Sequence, residues 1–284
     1  RTSEGLFQLL LHNFSKYNLK DKLIAQTYDG AAVMAGELSG LQLKVKSVAP
    51  QATFTHCYVH RLNLVLGKAC STIQPAVRIF FSTLSGFSSY FSKSTKRTSV
   101  LDKICGSRLP TSAPTRWNFS SRAIFTVCAY KEQLIEVFDF IINSSEFDAV
   151  SIREAVGLKN SLQDHKFLFL LETFKLIFEQ TDVIFSVLQQ KLTDITKARN
   201  YLQSLSSKLR AFRGCDDFFN NIYKKLDIDA TEESTPKRRR TDELPNKEQQ
   251  LRHIFFEILD TIINQIEIRF LDLEKLIFFD LLNN

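Results

Sequence analysis

The sequence predicts a mostly α protein with a partial α/β section near its start, and three observations predict it. Nine glycines and six prolines are spread over 284 residues, so the elements are long and the turns few. From about residue 120 onward, apolar residues recur at helical spacing. Before residue 92, two short apolar runs alternate with helical segments, which is an α/β rhythm. A hydrophobic content of 44%, with 25 phenylalanines, is enough for a Phe- and Leu-rich core in one large domain or two ordinary ones.

LFQLLLHNFSKY, at 6–17, reads as a helix. LIAQTY, at 23–28, is short, apolar and bounded by charge, and reads as a buried strand. From Gly30 to Val48 the pattern turns helical, with Val33, Leu38, Leu41 and Val45 to one side. ATFTHCY, after Pro50, is a second strand. It leads into the helix VHRLNLVLGKAC and a third helix from about 74 to 91. The polar, basic SKSTKRTS and the two-proline segment PTSAPTRWNFSS then mark a boundary with a loop, which closes the α/β section at about residue 92.

Amphipathic segments at about 120–144, 147–163, 165–189 and 192–213 are expected to form a helical bundle over 93–226. In the third, Phe167, Leu168, Leu170, Leu171, Phe174, Ile177 and Phe178 keep the spacing of one helix face. Residues 227–249 carry almost no large apolar side chains and are expected to be a disordered charged loop. PKRRR within it matches a nuclear-import pattern. From 250 to 284, Phe255, Ile258, Leu259, Ile262, Ile263, Ile266 and Phe270 form one stripe of a returning helix. The pattern stops without a helix stop signal, as in a truncated chain.

Charge is unevenly spread. From Lys44 to Arg122 stand twelve Lys or Arg against one acid, Asp102, a formal +11 within a chain of +6. Such a run is either a solvated basic face or a surface that contacts phosphate. Five cysteines with no CxxC pair argue against a secreted disulfide framework and fit a reducing compartment. With no cleavable signal peptide and no apolar run near the roughly 20 residues of a membrane span, the chain is expected to be soluble and intracellular.

Three stretches can carry chemistry. In YDGA, Asp29 is either the N-cap of the helix that follows or a carboxylate at a strand's carboxyl end, where open α/β sheets place their sites. A two-metal phosphoryl-transfer site needs several such carboxylates. In HCYVHRLNLVL, His56, Cys57 and His60 lie at a strand-to-helix junction. Cys57 and His60 have a ligand-like spacing, but a structural zinc wants four ligands and the chain offers no second pair. Packing that fixes the junction is the leading role, with His60 able to orient the acidic site. PTRWNFSSR holds Trp117, the sole tryptophan, beside Arg116 and Arg122. It is a core anchor or a surface for stacking an unpaired base. No Gly-rich phosphate loop, GxSxG, HExxH or kinase motif set is present, so nucleoside triphosphate hydrolysis has no support.

Taken in order, AQTYDGAAVMAGELSGLQLKVK, FTHCYVHRLNLVLGKAC and PTRWNFSSR resemble the catalytic region of hAT-family DNA transposases, nearest to transposase-derived proteins of the zinc-finger MYM-type group. The resemblance implies a partial ribonuclease-H-like core with a large all-helical insertion. It implies that Asp29 is the second carboxylate of an acidic triad, holding Mg²⁺ or Mn²⁺ in the intact family. Cys57 and His60 would be a near-site CxxH element, and Arg116 with Trp117 would hold a flipped base. Arg61, Lys68 and Arg122 join these two as candidate DNA contacts. The chemistry implied is metal-dependent strand cleavage and transfer.

The first and last acids of the triad have no match: Glu4 lies outside strand context, and Glu267 and Glu274 fall within the returning helix. The expectation is therefore a fragment or domesticated relic in the nucleus that binds DNA but neither holds metal tightly nor catalyses. The zinc-finger module and the dimerisation segment of intact members are likewise unmatched. The alternative is a transposase-derived nuclear regulator that binds DNA or nuclear proteins. A helical interaction scaffold unrelated to DNA is a third.

Overall fold

The computed structural model describes residues 2–72, 74–110, 117–189, 195–226 and 246–270. The chain is mostly helical, with one small parallel sheet among the described residues. It divides into two compact units, Arg1–Leu64 and Val65–Asn284.

The first unit opens with α1 (Ser3–Tyr17). Thr2 caps it by accepting the Gly5 N–H at 3.2 Å, and Asn18, at φ 50°, ends it in the left-handed region that Asn tolerates. Strand β1 (Ala25–Tyr28) pairs in parallel with β2 (Thr53–His56), Ala25 opposite Thr53 and Tyr28 opposite His56. Both strands are shorter than the apolar runs that announce them. Between them lie α2 (Ala32–Ala35) and α3 (Leu41–Val48). Phe14, Leu41 and Val45 form the core, with Leu6, Phe7, Leu10, Leu23, Tyr28 and Met34 packed against it. Gln26, buried on β1, donates to the carbonyls of Gln42 (3.1 Å) and Ala52 (3.4 Å), tying the strand to α3 and to the approach to β2.

The single helix expected over 30–48 is thus two short helices with an elbow. Gly36 donates its N–H to the Ala32 carbonyl and Gly40 donates to the Gly36 carbonyl, each at 3.0 Å, which closes a turn that needs bare backbone. Apolar spacing reads straight through such a turn. Leu38, on its outside, is 96% exposed and belongs to no core, and Val33 is also exposed.

Helix α4 (Tyr58–Thr72) contains the division between the units. The second unit continues with α5 (Pro75–Ser92), α6 (Thr95–Cys105), α7 (Trp117–Ala129), α8 (Lys131–Asn143), α9 (Ala149–Gln163), α10 (His165–Leu188), α11 (Ile195–Gly214), α12 (Asp216–Lys225) and α13 (Lys247–Phe270). Helix α5, grouped by sequence rhythm with residues 1–92, packs here on α6, α7, α9 and α10. The segment expected as a loop after residue 92 is helical over α6. Ser94 caps it by accepting the Arg97 N–H at 3.4 Å, and Gly106, at φ 63°, ends it. The run expected over 120–144 is divided at Tyr130, which leaves helical geometry between α7 and α8. Helix α13 begins at Lys247, inside the 227–249 segment, whose residues 227–245 lie outside the described residues along with PKRRR and 271–284.

Helix α10 is the axis of this unit. It packs on α5, α7, α9, α11, α12 and α13, and buries Phe167, Phe169, Phe174, Phe178 and Phe185 together with Thr173 and Thr181. Aromatic rings join the layers. Phe80 of α5 stacks on Phe174, with centroids 5.6 Å apart, and Phe219 of α12 and Phe255 of α13 both meet Phe169 edge-on. The α13 stripe is buried at Phe255, Ile258, Leu259, Ile262, Ile266 and Phe270.

Helices α7 and α10 are also joined by a hydrogen bond from the buried Ser121 hydroxyl to the Asp182 carboxylate. Burial pushes the Asp182 carboxyl above its ordinary value of 3.8, with Ser121 pulling the other way. A carboxyl so raised binds its proton more tightly folded than unfolded. Its stabilising effect is full below the ordinary value and is lost as pH rises through the folded value. Asp182→Asn keeps a partner for Ser121 and removes the buried charge. Its melting temperature is expected to exceed the parent's at neutral pH, and the gap to close as pH falls below about 4 in a thermal-melt pH series.

Candidate functional site

The carboxyl ends of the two parallel strands converge the first unit's polar candidates. The Cys57 N–H donates to the Tyr28 carbonyl at 2.8 Å, prolonging the ladder by one bond. The Cys57 carbonyl accepts the Arg61 N–H at 3.0 Å, which opens α4. Cys57 therefore works through its backbone as the hinge from strand to helix. Directly across from it, the chain leaves β1 through Asp29 and Gly30.

Asp29 is exposed and its Oδ1 accepts the Ala31 N–H at 3.2 Å. This is a local Asx turn, which corrects the expectation of an N-cap: Ala31 holds the cap position of α2, with no side-chain cap bond. The carboxylate closes its ring two residues ahead, before helical backbone begins.

Gly30 carries the tertiary contact of the loop. A Cβ placed there would stand 2.7 Å from His60 Nε2 and 3.0 Å from His60 Cδ2, so the imidazole in the first turn of α4 lies on bare Gly30 backbone. The loop after β1 and the helix after β2 are joined by this contact. Sequence reasoning singled out Asp29 and His60 but passed over Gly30. The signal was available, because a glycine beside a strand-end acid often marks close backbone approach. Along the same sheet face, Tyr28 stacks against Phe54 at 6.1 Å and His56 meets Phe54 edge-on at 4.7 Å. His56 is thus part of an aromatic ladder.

The other acids considered for the triad have separate partners. Glu4, in the first turn of α1, accepts from Gln8 and pairs with Lys44 at 2.5 Å, and these two, Gln8 foremost, hold its carboxyl below the ordinary range. Glu267 pairs with Arg210. Glu274 lies outside the described residues. Among the described residues no three His, Cys, Asp or Glu side chains form a group able to hold a metal ion. One exposed carboxylate does not fit the several ligands that a pair of Mg²⁺ or Mn²⁺ ions demands.

Thiol chemistry finds no poised residue among the cysteines that shift. Burial raises the Cys128 thiol to about 12, with Glu172 adding to it, and burial also raises Cys105. Among the described residues no helix is long and apolar enough to cross a membrane.

The DNA-contact candidates are divided. Arg61 lies over the Tyr58 ring at 5.9 Å in the first unit. Lys68, further along α4, and Arg122, on α7, are exposed side chains of the second. Arg116 lies outside the described residues, and of Trp117 only its place as the first residue of α7 is described. The basic stretch is not one uniform face. Arg97 turns inward, its guanidinium 4.2 Å from the Tyr90 ring centroid and 3.5 Å from Glu154, and Arg108 grips Asp102 with two nitrogens. Comparison with protein-family models and with solved structures finds no match to this chain.

Proposed function

We propose that this chain is a DNA-binding derivative of the catalytic region of a hAT-type transposase, carrying part of a ribonuclease-H-like core and a helical insertion. The observation that carries the proposal is the pairing, at the carboxyl ends of two parallel strands, of the Asp29–Gly30 loop with His60. Two of the three motifs that resemble the family, those holding Asp29 and His60, meet in space at the end of the sheet where open α/β folds place their chemistry. In this reading Asp29 is an inherited ligand position that needs further carboxylates to work. What the chain does by itself is bind.

Binding falls to its cations. Arg61, Lys68, Arg116 and Arg122 neutralise backbone phosphates, and Trp117 stacks on an unpaired base. Each neutralised phosphate releases condensed counterions, so affinity is set by salt. Contact of these four cations with four phosphates is expected to weaken binding about 10²-fold between about 50 and 200 mM salt. Metal plays no part in this term, so excess EDTA is expected to leave affinity unchanged. Fluorescence anisotropy with a labelled duplex and with its single strand, over a salt series, measures both effects. An affinity that does not respond to salt would overturn the proposal.

A further inference from the structure

We infer that the open groove between α6 and α8 seats arginine side chains of a basic partner peptide, an inference that goes beyond DNA binding and does not rest on it. The groove has a volume of about 570 Å³. Ile104 of α6 and Phe140 of α8 give it its apolar lining, and Glu136, Asp139 and Glu146 line it beside them. This is the acidic part of a basic chain. From Glu132 to Ile152 stand five acids, at 132, 136, 139, 146 and 148, and no Lys or Arg, within a net charge of +6. Three of the acids are already engaged: Glu132 pairs with Lys131, Asp139 pairs with Lys159, and Asp148 caps α9. Among the described residues no cation pairs with Glu136 or Glu146, and none lies over Phe140, which is 47% exposed and open to a partner.

The molecule itself shows what a ring beside a carboxylate takes. On α12, Asp216 and Phe219 lie one turn apart, and Arg252 of α13 pairs with Asp216 at 2.6 Å while its guanidinium carbon stands 4.4 Å from the Phe219 ring centre. On α13, Phe256 and Asp260 lie one turn apart, and Arg213 of α11 meets them in the same way, at 4.0 Å and 2.8 Å. Tyr90 and Glu154 hold Arg97 likewise between α5 and α9. Glu136 and Phe140 are the same pair, an acid and a ring four residues apart on one face of α8. No arginine of the described chain fills it. A guanidinium suits the place because its flat face stacks on a ring while its edge donates to a carboxylate, whereas a lysine ammonium is compact and strongly hydrated. Phosphate is repelled by the same carboxylates. Charge complementarity therefore selects a cationic, arginine-bearing peptide.

Fluorescein-labelled octa-arginine and octa-lysine, peptides of equal charge, test the groove by anisotropy. The parent protein is expected to bind octa-arginine about fivefold more tightly than octa-lysine at low salt. Phe140→Ala is expected to remove that preference by weakening octa-arginine alone. Glu136→Gln and Glu146→Gln are expected to weaken both peptides, each about threefold. Amide NMR shifts on adding octa-arginine are expected at Ile104 and over 136–146. An arginine preference that survives Phe140→Ala, or shifts confined to other residues, would overturn the assignment. Other occupants give distinct results. A protein that sediments as a dimer, and as a monomer after Phe140→Ala, would give the groove to a second copy. Shifts over 136–146 in the free protein, on replacing Arg238, Arg239 and Arg240 by Ala, would give it to the chain's own basic run. Either result would overturn the partner peptide. DNA is expected to bind Phe140→Ala as tightly as the parent, so this inference and the DNA-binding reading fail separately. A loss of DNA affinity in Phe140→Ala would make the groove part of the DNA surface and overturn the peptide.

Discussion

Phe174→Ala is expected to cost the second unit about 3–5 kcal/mol, the range for a fully buried phenylalanine whose surroundings do not collapse. Phe174 has no exposed surface. Its ring stacks at 10° on Phe80, meets Phe81 edge-on at 4.7 Å, and lies 5.8 Å from Phe178. The first two neighbours belong to α5 and the third to α10 itself, so the void would open at the seam between these helices. Large flat rings held by other rings cannot fold into such a void without leaving their rotamers. Urea titration gives the measurement: the midpoint should fall with little change in slope. Phe140→Ala, at a site 47% exposed, serves as the control and is expected to cost well under half as much. Equal costs at the two positions would show that the α5–α10 seam is not the organising contact of the unit.

Helix α10 also shows where the sequence was legible and where it was not. Its apolar spacing located the helix to within a residue or two, because a run of Phe, Leu and Ile without Gly or Pro has no competing structure. The same spacing undercounted its core. A one-face template selects Phe167, Leu170 and Phe174, whereas a helix surrounded by six others also buries Phe169, Thr173 and Thr181 from its remaining sides. Long periodic segments elsewhere hid breaks. Tyr130 divides α7 from α8 without any Gly or Pro to announce it. The opposite error came at α6, where a polar, basic composition suggested a loop although Ser94 and Gly106 stood at cap spacing around it.

At the candidate site, local rules found the residues and missed their partners. Asp29 after β1, and Cys57 and His60 after β2, were legible from strand ends and motif spacing. The contact that joins them, His60 on Gly30, spans 30 positions of sequence and depends on the parallel register of β1 and β2. No local pattern encodes that register.

Gly40→Ala is expected to destabilise the first unit by about 3 kcal/mol, the upper end for overpacking. The backbone angles are not the obstacle: at φ −65° and ψ 156°, Gly40 occupies a region open to any residue. Space is the obstacle. A Cβ on Gly40 would lie 2.4 Å from the Gly36 nitrogen, 2.5 Å from its oxygen and 3.0 Å from its Cα. These are main-chain atoms of the same elbow, and no rotamer change can move them aside. The turn must therefore open, which breaks the bond from the Gly40 N–H to the Gly36 carbonyl and shifts α3. Leu41 and Val45, on α3, would then leave their packing against Phe14, and Gln26 would lose its bond to Gln42. Hydrogen exchange provides a local readout, with faster exchange expected at the amides of Gly40, Lys44 and Cys57. Gly67→Ala separates this steric effect from the general consequence of replacing a glycine. Gly67 lies within α4 with nothing within 4 Å of its added Cβ, so alanine there is expected to stabilise by roughly 0.5–1 kcal/mol. If Gly40→Ala behaved like Gly67→Ala, the close Gly36–Gly40 approach would not exist in solution. The long single helix that the sequence suggests over 30–48 would then be the better description of the segment that follows Asp29.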